Sequence, residues 1–404
     1  MSTRRGPNLR VDFARDGRSV KLTDAEEGET TIPCRLSDTE ATEYRKFLKR
    51  SLDQVKDFVR GQNLTIEHAA QALDKLNERG LTLVWQIFGE NSEQVVGLFQ
   101  KSFPLWRAGG DPAVISVTAE LSRFIPIEFL PLFELAEWPA IEDFATLERA
   151  ARRFPGFSAI IRREFRNISI SQDTVLENEP KLRLKCFVNR SLRGAETEIS
   201  FFKSNESYID IDGPWPTGRL SSRDEFTKRM AGYLRYADER FDGLPRTPAD
   251  QIQHFICHCE IDEVVSSDSI LRLSDGNEVT ISALEAKFAI PGREKPQFGP
   301  LIFLNACGTS RVDPMAVTSF PRFFLEENRN RGFIGTETNV PDSFAAEFSQ
   351  RFYQGLLSGN RLGKAIHDAK WSMLRDRLSP LGILYTVYAD PDLHVSKPVD
   401  VAGR

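Results

Sequence analysis

Long apolar runs are missing from this chain. The longest, around residues 81–88 and 301–306, fall far short of the roughly 20 residues that a helical membrane span needs. Cysteine is scarce. Five thiols in 404 residues, an odd number scattered along the sequence, do not make a disulfide framework. Residues 1–10 are basic and polar with no apolar stretch behind them, so no secretory signal is expected. A basic excess is also absent. With 53 Lys and Arg against 58 Asp and Glu, the net charge of -5 provides no electrostatic footprint for nucleic acid. There is no phosphate loop, no dinucleotide fingerprint and no internal repeat. These absences lead us to expect a cytoplasmic protein of a reducing compartment, with no membrane or nucleic-acid partner and no cofactor. A free thiolate can persist in such a compartment.

What is present is enough apolar material for a large core, in one big domain or two ordinary ones: 40% of residues are apolar, and 29 are Phe. Residues 1–36 alternate weakly (Leu9, Val11, Phe13; Val20, Leu22) and read as an N-terminal arm or hairpin. Ser37-Asp38-Thr39-Glu40 is a capping-box pattern opening a helical region over 37–108. Within that region a second helix is expected over 65–79, stopping at Gly80. Residues 109–180 read as a support segment, with strand candidates at 114–117 and 124–130.

From 181 to 396 the pattern changes to strands alternating with helices. Strands are expected at 182–188, 208–211, 252–258, 301–306 and 332–336. The intervening helices are expected at 195–202, 224–241, 320–330, 342–357 and 362–378. A hairpin centred on Asp275-Gly276 interrupts them. Residues 397–404 read as a tail. The expected fold is α/β, a mostly parallel sheet with helices on both faces and a helical N-terminal region before it.

Two strands end in chemistry. One closes as His254-Phe255-Ile256-Cys257-His258-Cys259, and the other as Leu304-Asn305-Ala306-Cys307-Gly308. Sites of parallel α/β sheets gather beyond the carboxyl ends of strands, so adjacent strands would offer Cys307 and His258 to one crevice. An imidazole can take the thiol proton and later protonate a leaving amine. The Cys307-Gly308 turn can aim backbone N–H groups at a developing oxyanion. His254 lies four residues from His258 on the same strand face but not at the strand end, so it reads as structural. The His254/Cys257/His258/Cys259 cluster lacks a second ligand pair at zinc spacing, and no metal is expected.

In order along the chain, these segments resemble the CHAT family, caspase-like cysteine peptidases related to separase. The resemblance includes the His and Cys motifs above and, upstream, Arg123-Phe124-Ile125-Pro126-Ile127-Glu128-Phe129-Leu130. Downstream it includes Gly332-Phe333-Ile334-Gly335-Thr336, Val340-Pro341-Asp342, Phe352-Tyr353-Gln354-Gly355, Gly363-Lys364-Ala365 and Tyr388-Ala389-Asp390-Pro391. It covers roughly residues 111–396 and implies that the segment 109–180 is a support or pseudo-caspase segment. It implies a caspase-type sheet, a catalytic dyad of Cys307 and His258, and cleavage of a specific protein substrate. It further implies activation by a partner protein or complex, as in bacterial conflict systems. It also implies an oxyanion donor in the N–H of the residue after the His, here Cys259 where the family usually has Gly.

Glu337, Asp342 and Asp313 are candidates to line a pocket for a basic side chain. The alternative for each is a solvated loop carboxylate, and Asp342 is also the natural N-cap of its helix. Cys259 and the Glu337-Thr338 pair, which replaces an apolar–Trp pair common in the family, motivate a second reading: an inactive caspase-like scaffold that binds protein partners.

Overall fold

The computed structural model describes residues 6–24, 28–59, 61, 63–102, 110–120, 123–135, 137–166, 173–234, 250–260, 269–288, 299–306 and 319–399. They form two compact units. The first takes residues 1–167 and 366–385, and the second takes 168–365 and 386–404. The chain passes from one unit to the other at 167/168, and residues 366–385 group with the first unit.

In the first unit, β1 (Leu9–Phe13), β2 (Ser19–Asp24) and β3 (Gly28–Pro33) are an antiparallel meander. β1 also pairs in parallel with β4 (Ala113–Ala119), and β4 with β5 (Ala159–Phe165), giving the order β3-β2-β1-β4-β5. Helix α1 (Asp38–Phe58) starts at the expected capping box, with the Ser37 hydroxyl accepting from the Glu40 N–H and the Glu40 carboxylate accepting from the Ser37 N–H.

Helix α2 (Ile66–Phe88) does not stop at Gly80. A Cβ at that position would lie 2.7 Å from both the Phe129 carbonyl oxygen and Pro131 Cδ. The glycine serves a close approach of chains, not a helix end. The helix ends instead at Gly89, in the left-handed region at φ 55°. Helices α3 (Ser92–Ser102), α4 (Phe144–Ala151) and α5 (Pro155–Ser158) complete this part.

The 124–130 segment is not a strand. Ile127–Phe129 form a buried 3₁₀ turn that aims Glu128 at Arg163 of β5, Arg163 Nη2 donating at 2.6 Å.

In the second unit, short β6 (Val175–Leu176) pairs with β15 (His394–Val395), apart from the main sheet. The main sheet contains β7 (Leu182–Val188), β8 (Ile209–Trp215), β9 (Ile252–Glu260), β10 (Ile270–Arg272), β11 (Glu278–Thr280), β12 (Gly299–Ala306), β13 (Asn330–Thr336) and β14 (Tyr385–Ala389). Its parallel core runs β8-β7-β9-β12-β13, with β14 beside β13. The hairpin β10–β11 turns at Asp275 and Gly276, both at positive φ, as the Asp-Gly pair requires.

Aromatic stacking shows which helices cover each face. On one face, Phe202 of α6 (Ala195–Ser204) packs on His254, and Phe352 of α10 (Asp342–Leu357) on Phe303. On the other, Phe226 of α7 (Arg223–Leu234) stacks on Trp215. There too Phe324, in a π-helical turn following α9 (Ser319–Arg322), packs on Phe255 and Phe333. The expected architecture, helices on both faces of a parallel-rich sheet, is the one observed. Helix α8 (Ile281–Phe288) follows the hairpin, and α11 (Leu362–Arg377) follows α10. The expected helix over 224–241 is seen to Leu234, and its remainder lies outside the described residues.

Candidate active site

β9 changes neighbours along one edge. It pairs with β7 from Ile252 to Ile256, then with the hairpin strand β10 from His258 to Glu260. Its other edge pairs with β12 from Ile252–Leu301 up to Cys257–Ala306. The handover at residue 257 is fixed by polar contacts. The Asn189 N–H, just past β7, donates to the Ile256 carbonyl at 2.6 Å. The Asn189 amide donates to the Arg272 carbonyl at 3.3 Å, and the Ser274 hydroxyl to the Val188 carbonyl at 2.7 Å. These bonds tie the end of β7 to the hairpin and hold the end of β9 between hairpin and β12.

His258 is half-buried, whereas Ile252, His254 and Ile256, which share its face of β9, are buried. The backbone direction at the next residue follows from alternation. The Gln251 carbonyl accepts from Leu301 on the β12 edge, and the Ile256 carbonyl faces Asn189 on the opposite edge. Successive residues of a strand turn their peptide groups to opposite edges, so the N–H of Cys259 turns toward β12, beyond the last paired residue Ala306.

Beneath this end lies a buried polar network that sequence reasoning missed apart from His254. The Glu198 carboxylate, in the first turn of α6, accepts from His254 Nε2 at 2.7 Å. It also accepts from Asn305 Nδ2 at 2.9 Å to each oxygen, and from the Ser349 hydroxyl at 2.7 Å. Asn305 Nδ2 also reaches the Ala345 carbonyl at 3.1 Å, and the Tyr353 hydroxyl lies 3.0 Å from His254 Nδ1. Burial pushes the Tyr353 phenol well above its ordinary value, with Glu198 adding to the effect, so the hydroxyl stays protonated. A carboxylate only accepts, so Nε2 of His254 is the donor in its bond to Glu198. One signal was available: Glu198 sits one turn before Phe202 on the apolar stripe of α6, where a lone charge calls for partners.

The other expected site residues fall in several places. Cys307, Gly308 and Asp313 lie outside the described residues. Glu337 and Asp342 are not solvated loop carboxylates. Glu337 follows β13 and is 2% exposed. Asp342 is the first residue of α10, not its cap. Pro341 holds the cap position, and the Asp342 carboxylate accepts from the Arg193 N–H at 3.0 Å.

The four described cysteines, Cys34, Cys186, Cys257 and Cys259, are free and buried. Burial pushes the Cys34 thiol up to about 12 and raises Cys186 and Cys257 further. The Cys259 thiol is also well above its ordinary value, through burial first and then the nearby Cys257 and Glu260. Thiols held protonated in this way are poor nucleophiles. Among the described residues, no three His, Cys, Asp or Glu side chains gather as metal ligands. No described helix is long and apolar enough to cross a membrane.

The CHAT domain family model matches residues 113–391, well over half of the chain. The chain belongs to the CHAT family. It is similar to a protein named as a probable protease from Vitiosangium sp. (strain GDMCC 1.1324), 31% identical over 109 residues. That match covers 26% of this chain and 14% of the relative's length. Among solved structures, the Saccharomyces cerevisiae separase–securin complex matches with TM-score 0.42 and 11% identity, over 96% of this chain and 30% of that one. The CHAT family is one of caspase-like peptidases. The strand order and the aromatic stacking described above, taken by themselves, give this CHAT chain its parallel, doubly covered sheet.

Proposed function

We propose that this CHAT protein is a cysteine endopeptidase in which Cys307 is the nucleophile and His258 its proton-transfer partner. The observation that carries the reading is the register of β9 and β12. Their last pair is Cys257–Ala306, and the residues that follow this pair in sequence are His258 and Cys307.

In the proposed reaction, His258 takes the Cys307 proton and the thiolate attacks the substrate carbonyl carbon. The tetrahedral oxyanion is held by the N–H groups of Cys259 and Gly308, and by that of Cys307 itself where the turn permits. The amide C–N bond then breaks, the amine leaves with the proton from His258, and water hydrolyses the thioester. The direction of the Cys259 N–H supports its part, because that role uses only the backbone. The buried, protonated state of Cys257 and Cys259 supports assigning nucleophilic chemistry to neither. We further propose a cytoplasmic enzyme that cleaves a specific protein substrate once a partner protein activates it, in bacterial defence or regulated proteolysis. Glu337, Asp342 and Asp313 remain our proposal for a pocket that selects a basic side chain.

The test is labelling of the full chain with a peptidyl chloromethyl ketone carrying a basic terminal residue, mapped by mass spectrometry. Capture at Cys307 that disappears in Cys307→Ala and falls in His258→Ala is the expected result. A folded protein that stays inert to such electrophiles even with its activator would favour the scaffold reading.

A further inference from the structure

A single carboxylate underlies the ends of β9 and β12, the two strands that lead in sequence to the proposed dyad. Glu198 bonds His254, four residues before His258 on β9, and Asn305, two residues before Cys307 on β12. Its third donor, Ser349, comes from α10, whose Ala345 carbonyl also receives Asn305. Glu198, His254, Asn305, Ser349 and Tyr353 are each no more than 1% exposed.

A buried carboxylate is costly to desolvate, and well-packed apolar side chains would hold two adjacent strands together at least as strongly. What apolar packing does not supply is directional definition. Three donors converging on two oxygens restrict how β9, β12 and α10 can slide or rotate against α6. The placement of Glu198 in the first turn of α6 adds the favourable field of the helix N-terminus to the carboxylate. Each strand is gripped within a few residues of its end, where the ladder between β9 and β12 has only Cys257–Ala306 beyond the Asn305 pair.

We infer that Glu198 is a positioning residue for the proposed dyad, fixing the carboxyl ends of β9 and β12 relative to each other through His254 and Asn305. This rests on the reading of Cys307 and His258 as that dyad. Glu198 touches no substrate. It acts through the two strands, so its loss changes the sulfur–imidazole relation more than it changes folding. Glu198→Gln keeps the side-chain shape but replaces one acceptor by a donor, which opposes the donors of His254, Asn305 and Ser349.

The experiment measures iodoacetamide alkylation of Cys307 in the full chain against pH, read by mass spectrometry, with thermal melting alongside. Wild type is expected to show an inflection below the free-thiol value of about 8.5. Glu198→Gln should move that inflection toward the free-thiol value and slow neutral-pH alkylation at least tenfold, while the protein still melts cooperatively. If Glu198→Gln does not fold, Asn305→Ser removes one arm of the same grip and should show a smaller shift in the same direction. Phe226→Leu, a core change on the opposite sheet face, supplies the comparison for destabilisation alone. A shift in Phe226→Leu equal to that in the network variants would overturn the positioning role. So would an unchanged profile in Glu198→Gln or Asn305→Ser. A wild-type profile already like a free thiol and unmoved by His258→Ala would overturn the dyad, and this inference with it.

Discussion

Cys257 on β9 and Ala306 on β12 are the last residues that these two strands hold in register. Past that pair β9 continues against the hairpin strand β10, with His258 opposite Arg272 and Cys259 opposite Leu271. The strand end bearing the imidazole is therefore supported on its far edge by β10, and on its near edge it runs past the last described pair with β12.

His258→Ala should slow substrate cleavage, or electrophile capture at Cys307, by about a hundredfold or more, the ordinary contribution of a positioned proton-transfer group. The melting temperature should change little, because the side chain is half-buried and lies at a strand end. Parallel rate and melting measurements separate the two effects.

Cys259→Ala keeps the backbone N–H and discards a buried thiol. Capture at Cys307 should stay within about twofold of wild type, and stability should fall by about 1 kcal/mol for the lost packing. A loss of capture comparable to that of Cys307→Ala, in a protein that still folds, would show that the thiol itself takes part.

Glu128 and Arg163 form an ion pair in which both side chains are almost fully buried, with the Arg163 guanidinium also 4.6 Å from the centre of the Phe124 ring. Removing one partner leaves the other charge buried without its counter-ion. Glu128→Ala should cost about 3–5 kcal/mol in urea denaturation, more than the paired change Glu128→Leu with Arg163→Met.

Asp250, just before β9, has its carboxyl pushed from 3.8 up to about 6, chiefly by burial and against the pull of Lys185. A folded-state value above the unfolded one means that stability from this group is full below about pH 4 and lost as pH rises through about 6. Asp250→Asn should therefore stabilise the protein at pH 7.5 by roughly 2–3 kcal/mol and change little near pH 4. Urea titrations of both proteins at the two pH values check the sign.

Gly80→Ala sets two effects against each other. Alanine favours the helix by about 1 kcal/mol, but its Cβ would sit 2.7 Å from the Phe129 carbonyl oxygen. Backbone on that side has little room to yield, so the clash should win and the variant should be destabilised by about 1–3 kcal/mol in chemical denaturation.

Much of the second unit was legible. The apolar runs of β9 and β12, the Asp275-Gly276 turn and the start of α10 at Asp342 all follow from short-range pattern. In the first unit the Ser37 capping box was equally plain. β5 was not, because Arg162 and Arg163 interrupt its apolar pattern, and the Glu128 that neutralises Arg163 comes from a distant turn. Gly80 misled for a related reason: a glycine that ends a helix and one that admits a neighbouring chain look the same in one dimension.

The sequence alone determined the alternation of strands and helices, the family motifs in their order, and which two apolar strand segments are followed closely in sequence by a His and a Cys. All of these are set by residues within a few positions of one another. Only the tertiary structure decided that β9 and β12 are parallel neighbours with Cys257 beside Ala306, and that Glu198 gathers His254, Asn305 and Ser349 onto one carboxylate. Those contacts join positions far apart in the chain. They exist because burying the sheet's two faces brings the helices down on it, and a buried charge must then find its donors there.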